Sequence, residues 1–294
     1  QRVNASYQCI LSSMVILSEQ KEILQKSILA ADNYASSEAF LREQFPLNFE
    51  ASMKDSVMTE FLGIDYTIGK SDLTGGDWFH YNGKPVTMNL PWFQKSVPVV
   101  ETVLPLAYII PVEWQAVINR LRFHGIVFKE LETEKTITCS TYRFRQPKWQ
   151  QNPYEGRHPM TNLEYDEIEI TRSYAAGSVV VKVNQPAALI IAHLLEPKGD
   201  GSLLHWGFMD AIFEQKEYGE SYVIEKLARE MISQNPKLRE EFEEKKKTDP
   251  NFAKNQWEMI NWFYNRSPFA DPWRMVYPVG KITGQDLLNS LISP

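Results

Sequence analysis

The stretch Pro186–Phe208, PAALIIAHLLEPKGDGSLLHWGF, constrains this chain more than any other. It opens with an apolar run, Ala187 to Leu195, that carries only His193 as a polar residue. A segment apolar on nearly every side has to be buried, and Pro186 suits the first helical position, where its missing N–H costs nothing. The run stops at Glu196-Pro197, and Lys198-Gly-Asp-Gly201 breaks the backbone. Ser202 then stands where it would cap a second helix carrying Leu203, Leu204, Trp206 and Phe208. Upstream of this stretch the chain reads as strands, and downstream it reads as helices. The stretch is the joint between two halves.

Residues 2 to about 31 have helical periodicity. Val3, Tyr7, Ile10, Leu11, Met14, Val15 and Leu17 recur at three- and four-residue steps, and Ile23, Leu24 and Ile28 continue the face. Such an amphipathic helix needs a surface to lie against. A short helix is expected around Ser36 to Glu43. From Phe61 to Ile68 the pattern alternates like a strand, and Asp77 to Tyr81 reads as a strand ending in an Asn82-Gly83 turn. Lys84 to Val100 holds three prolines and reads as extended or edge structure. Leu106–Ile110, a helix from Pro111 to His124-Gly125, and Ile126–Leu131 form a strand–helix–strand element, which predicts a parallel pair joined by a right-handed crossover. Thr136–Phe144 is a strand by its β-branched and aromatic content. Gln146–Pro159 reads as a polar loop with Trp149 and Tyr154, and Glu164–Tyr174 with Ser178–Val183 as a hairpin around Ala175-Ala-Gly177. Helices are expected over 206–216, 220–233, 236–247 and 252–264, with Asn235-Pro236 and Asp249-Pro250 as helix starts. The fold class is therefore α+β, divided as a helical segment 1–60, a β-rich domain 61–185 and a helical tail 186–294.

With 294 residues, 43% of them apolar, the chain can bury a real core, and a net charge of −6 offers no basic footprint for nucleic acid. No apolar run is long enough to span a membrane. The chain opens at Gln1 without a signal-peptide pattern, so its N-terminus does not give its localisation. Cys9 and Cys139 allow one disulfide at most and read more simply as two buried thiols.

The only arrangement with metal-ligand spacing is His193-x-x-Glu196, three apart and so on one face of a helix, with His205 as the nearby third donor. The apolar surroundings of His193 favour a core histidine, and Glu196 falls at the last turn before Pro197. His80, His124 and His158 are isolated, and His124 suits a helix end. Asp166-Glu167 are adjacent on a strand and point to opposite faces, and Gly75-Gly76 lacks the lysine of a phosphate loop. No catalytic residue is assigned. Aromatic side chains at Trp78, Trp149 and Tyr154 are the candidates for a glycan- or peptide-binding surface.

Several phrases together resemble the C-terminal region of bacterial M14 zinc carboxypeptidase-like proteins. They are Gln1-Arg-Val-Asn-Ala-Ser-Tyr7; Pro105-Leu-Ala-Tyr-Ile-Ile-Pro111 with Trp114 and His124-Gly125; Gly177-Ser-Val-Val-Val181 with Gln185; Leu194-Leu-Glu-Pro197; and Ser202-Leu203 with Trp206-Gly-Phe208. Gly201 departs from the family's phrase, where an aspartate would directly precede the serine. The resemblance implies a secreted or periplasmic protein whose zinc ligands and catalytic glutamate lie upstream of Gln1. Residues 1–60 would then close an upstream peptidase domain, with peptide substrate reached through that domain. It implies an accessory role for this chain, with zinc bound by the full-length protein and none within these residues. A binding module using the exposed aromatics, or a small metal site at His193, Glu196 and His205, are the alternatives. At the joint, Leu194, Leu195 and Trp206 are expected in the core, and Glu196 and Ser202 as the polar pair that fixes the bend.

Overall fold

The computed structural model describes residues 2–292. Residues 44–103 form one compact unit, and the chain on either side of them forms another. The chain begins with α1 (Arg2–Glu19), α2 (Lys21–Ala35) and α3 (Glu38–Arg42). Ser37 caps α3, its Oγ accepting the Phe40 N–H at 3.3 Å. The predicted periodicity forms helix throughout, yet α1 buries no residue and α2 buries only Ala35. The apolar side chains of the predicted face range from 41% exposed at Leu24 to 85% at Val3.

The 44–103 unit holds β1 (Gln44–Ala51), β2 (Val57–Lys70), β3 (Asp77–Trp92) and β4 (Ser96–Val103). β1 pairs with β4, and β2 with β3, both antiparallel. Each ladder is two-stranded, so every strand keeps an unpaired edge on which Pro85, Pro91 and Pro98 are tolerable. The Asn82-Gly83 turn does not form. β3 runs through it, and the hairpin turns instead at 71–76, where the Ser71 Oγ accepts from the N–H groups of Leu73 and Thr74. Asn82-Gly83 is a bulge: the register jumps from Ile64↔Pro85 to Tyr66↔Tyr81, and Gly83 absorbs the extra length at φ +78°. A bulge and a tight turn both call for a residue at positive φ, so the dipeptide alone does not distinguish them.

The remaining elements are β5 (Ala107–Ile110), α4 (Gln115–Phe123), β6 (Lys129–Glu130), β7 (Lys135–Trp149), β8 (Met160–Tyr174), β9 (Val179–Lys182), α5 (Ala188–Leu195), α6 (Ser221–Gln234), α7 (Pro236–Thr248), α8 (Pro250–Lys254), α9 (Gln256–Tyr264), β10 (Gly280–Ile282) and α10 (Gln285–Ile292). Six strands form one sheet in the order β6-β9-β5-β10-β7-β8, with every adjacent pair antiparallel. The strand–helix–strand element is present, but β5 and β6 do not pair. β9 lies between them, antiparallel to both, so they are parallel without touching. The expected hairpin of 164–174 with 178–183 is also replaced. β8 pairs with β7 around the loop 150–159, and β9 crosses to the other side of the sheet. Side-chain character explains the exchange: Val179, Val180 and Val181 are all buried and suit an interior strand, whereas β8 alternates and suits an edge.

The C-terminal stretch is helical and also contributes β10, inserted between β5 and β7. Gly280 makes this close approach possible, because a Cβ there would stand 2.5 Å from the Cys139 Sγ and 2.8 Å from the Tyr174 hydroxyl. α6 and α7 fall where periodicity and the Asn235-Pro236 start place them. Asp249 caps α8, its Oδ1 accepting the Phe252 N–H at 3.0 Å. The expected helix over 252–264 is two helices, because Asn255 ends α8 and caps α9. The helix expected over 206–216 does not form. Residues 201–209 make successive turns leading to a short 3₁₀ turn at Asp210–Phe213, and Gly207 at φ +73° interrupts any helical path. One apolar core lies on the sheet beneath α10, built on Ile109, Ile137, Tyr174, Ile282 and Leu288. A second joins α6, α7, α8 and α9 around Ile224, Phe252, Trp262 and Phe263.

Candidate functional site

The densest polar chemistry of the described residues sits at the end of α5. That helix buries Ala188, Ile191, Ala192 and Leu195, while Leu189 and Ile190 face outward. It ends at Glu196, whose backbone is extended at ψ 112°. The Glu196 side chain is fully buried. Its Oε1 accepts the Tyr108 hydroxyl at 2.6 Å and its Oε2 the Tyr142 hydroxyl at 3.1 Å. The Lys281 Nζ lies 3.5 Å from Oε1 and donates to the Tyr142 oxygen at 2.9 Å. Three neighbouring strands supply these partners, with Tyr108 of β5 and Lys281 of β10 as register partners and Tyr142 on β7. One residue back, the Leu195 carbonyl accepts the Tyr277 hydroxyl at 2.8 Å.

Burial, and then the adjacent Glu196 carboxylate, holds the hydroxyls of Tyr108 and Tyr277 well above the usual tyrosine range, and that of Tyr142 above it. All three are neutral donors at ordinary pH. A buried carboxylate is tolerable when it is paired and its lone pairs are hydrogen-bonded, and here an ammonium and two phenols meet both needs. The cluster fastens the end of α5 to the centre of the sheet. Its donors point inward at one another, which makes it a lock between elements and not a reactive group presented to a substrate.

Glu196 leaves the helix before its side chain projects, so the three-residue spacing to His193 no longer puts both on one face. His193 stays on α5, half-buried, and burial lowers its pKa. His205 lies on the following turns, its N–H bonded to the Ser202 Oγ at 3.1 Å and its Nδ1 4.0 Å from the Asp200 carboxylate. Among the described residues no three His, Cys, Asp or Glu side chains gather as a metal site, so His193, Glu196 and His205 do not form one. Ser202 is buried and fixes the turn through His205, while Glu196 fixes the bend through the tyrosines; the two act separately. Leu195 is core as expected, but Leu194 and Trp206 are only half-buried.

The aromatic candidates are dispersed. Trp149 is part of β7 and packs edge-on against Phe213, with ring centroids 5.4 Å apart. Tyr154 is 58% exposed, and its ring lies 6.2 Å from that of Trp206. Trp78, 53% exposed, lies in the 44–103 unit with its ring centroid 4.1 Å from that of His80, the two rings tilted at 44°. Both thiols are free. Cys139 is buried, whereas Cys9 is exposed on α1 and not in a core. The partners of Glu196 have one sequence-level trace, Lys281 set between Gly280 and Ile282 in an otherwise apolar strand.

No protein-family profile matches the sequence, and no solved structure matches it. The chain is 26% identical over 194 residues to a protein of Trichophyton rubrum named Carboxypeptidase 2, covering 64% of this chain and 34% of that protein. Proteins of the same name from Trichophyton tonsurans and Trichophyton equinum are each 27% identical over 202 residues, covering 67% of this chain and 34% of theirs. The chain spans about a third of the length of the curated relatives it matches, and these likenesses support a distant relation to carboxypeptidases.

Proposed function

We propose that this chain is the C-terminal, accessory portion of a zinc carboxypeptidase-like protein of the M14 kind. In this reading the zinc ligands and catalytic glutamate belong to a peptidase domain upstream, and the chain packs against that domain and shapes or shields its cleft. The observation that carries the reading is the apolar surface of α1 and α2, which buries almost nothing in a chain with a distant likeness to carboxypeptidases. Exposed apolar surface of that extent is characteristic of interaction faces. Zinc is expected of the whole protein. The residues described here do not offer it a donor set, so no step is assigned to them through the metal. The resemblance also suggests an extracytoplasmic location, and no described helix is long and apolar enough to cross a membrane.

The test compares this chain with the same chain extended by its preceding coding sequence. The longer protein is expected to release C-terminal residues from a peptide, to lose that activity to a chelator and regain it with zinc. Hydrogen exchange in α1 and α2 should be fast in the short chain and slow in the long one. Chelator-sensitive hydrolysis by the short chain alone would sink the proposal. A second reading rests on β3, where exposed Trp78 lies beside His80 on one face, opposite Phe79 and Tyr81, and offers a stacking platform for a glycan or extended peptide. Alanine at Trp78 should then abolish binding to immobilised glycan or peptide, and unchanged binding would dismiss that role.

A further inference from the structure

We propose that β2 is a self-pairing edge: two copies of this chain join β2 to β2 in antiparallel register, making a four-stranded sheet from two hairpins. The inference is independent of the carboxypeptidase reading. A two-stranded ladder is marginal in water unless something covers or extends it. Every residue of β2 and β3 is exposed or half-buried, and among the described residues nothing pairs with the outer edge of either strand.

The two edges differ. Pro85 and Pro91 stand an even number of positions apart in a regular stretch of β3, so their ring nitrogens face the same way. Neither can donate to the ladder with β2, which puts both nitrogens on the outer edge, where an incoming strand would find two N–H groups missing. β2 has no proline between Val57 and Lys70, and the extra residues of the bulge lie in β3. One open edge and one blocked edge permit an association that stops at two copies.

The sequence of β2 names the partner. Its even-numbered side chains share a face and read Glu60, Leu62, Ile64, Tyr66, Ile68, Lys70. Set antiparallel to itself about Asp65, that row places Glu60 opposite Lys70 of the second copy, Leu62 opposite Ile68 and Ile64 opposite Tyr66, each contact occurring twice. Opposite charges and pairs of β-branched with aromatic side chains are the stabilising cross-strand combinations. An arbitrary extended peptide has no need of opposite charges at the two ends of the row, whereas a strand that pairs with itself does. The apolar side chains between them are open to solvent, Leu62 at 82%. Lys70 already holds Asp77 of β3 and would lie between two carboxylates. The opposite face contributes one unfavourable contact, because Asp65 meets its own copy at the two-fold axis. No other register sets residue 65 against itself, so that contact makes the alignment testable.

Sedimentation equilibrium of the chain tests the proposal. It should show a monomer–dimer equilibrium, and Glu60→Lys, which sets a lysine against Lys70 at both ends, should raise the dissociation constant about tenfold. Asp65→Asn should lower it several-fold by removing the repulsion at the axis, a gain that misfolding cannot produce. Cys9 is exposed, so cross-linking is read in a Cys9→Ser background. There Asp65→Cys should give a disulfide-linked dimer on mild oxidation, while Thr67→Cys, which faces Gly63 of the second copy, should not. A monomer at concentrations up to about 1 mM, a dimer indifferent to Glu60→Lys, or cross-linking as ready at 67 as at 65 would each overturn the proposal. The first outcome would leave the edge to a different polypeptide, and the second would place the contact elsewhere, as on α1 and α2.

Discussion

Replacing Glu196 by glutamine is the sharpest test of the lock at the end of α5. The change keeps the shape and removes the charge. It weakens two hydrogen bonds to a carboxylate, at 2.6 and 3.1 Å, each of a kind that contributes about 1.5–3 kcal/mol. It also leaves Lys281, whose side chain is only 8% exposed, as a buried cation without a counter-ion. Removing one partner of a buried pair costs about 3–5 kcal/mol, and this range should govern Glu196→Gln. Lys281→Met alone leaves the carboxylate its two phenol donors, so about 1–3 kcal/mol is expected. In the double variant no orphan ion remains, and the loss should not exceed that of Glu196→Gln alone. The coupling energy from the cycle should therefore be at least as large as the Lys281→Met loss, about 1 kcal/mol or more, within the range measured for contacting residues. Urea unfolding followed by tryptophan fluorescence, with an unchanged denaturant slope, measures it. Additive losses, or a Glu196→Gln loss below about 1 kcal/mol, would show that the cluster is solvated or dispensable and would refute the reasoning.

Gly280→Ala should destabilise the sheet by about 1–3 kcal/mol or more, because the new methyl group would meet Cys139, Tyr174 and Ile109 at 2.5–2.9 Å in a packed core. The same unfolding assay checks it, and a neutral result would mean that β10 does not lie between β5 and β7. Alkaline titration supplies another check. The folded pKa values of Tyr108, Tyr142 and Tyr277 lie above their unfolded value near 10, so the fold retains protons that the unfolded chain gives up. Their contribution is complete below about pH 10 and is lost as the pH rises beyond it. Tyrosinate absorbance should therefore show a class of phenols that ionise only as the chain unfolds; smooth titration of every tyrosine in the folded protein would contradict their burial.

Local features of this sequence are legible because they depend on near neighbours. The three- and four-residue steps of α1, α2, α6 and α7, the proline at the start of α7 and the β-branched run of β7 all follow from residues within a turn or two of one another. Pairing is not local. Tyr174 and Val179 are five positions apart, yet the first ends an edge strand and the second lies in an interior strand across the sheet. What sends them apart is the uninterrupted burial of Val179–Val181, a signal present in the sequence but outweighed by the turn residues between them. Strand β10 has three residues, too few for any periodicity, and is recognisable only through what Gly280 must fit against.

The joint at Pro186–Phe208 shows why spacing arguments fail at element ends. The relation between His193 and Glu196 assumes that both are helical. A proline directly after Glu196 disfavours the helical conformation there, so Pro197 itself withdraws the premise of the metal reading. Once released from the helix, the carboxylate is free to turn into the sheet, where two phenols and an ammonium meet it. The position that looked most like chemistry becomes the position that secures the fold.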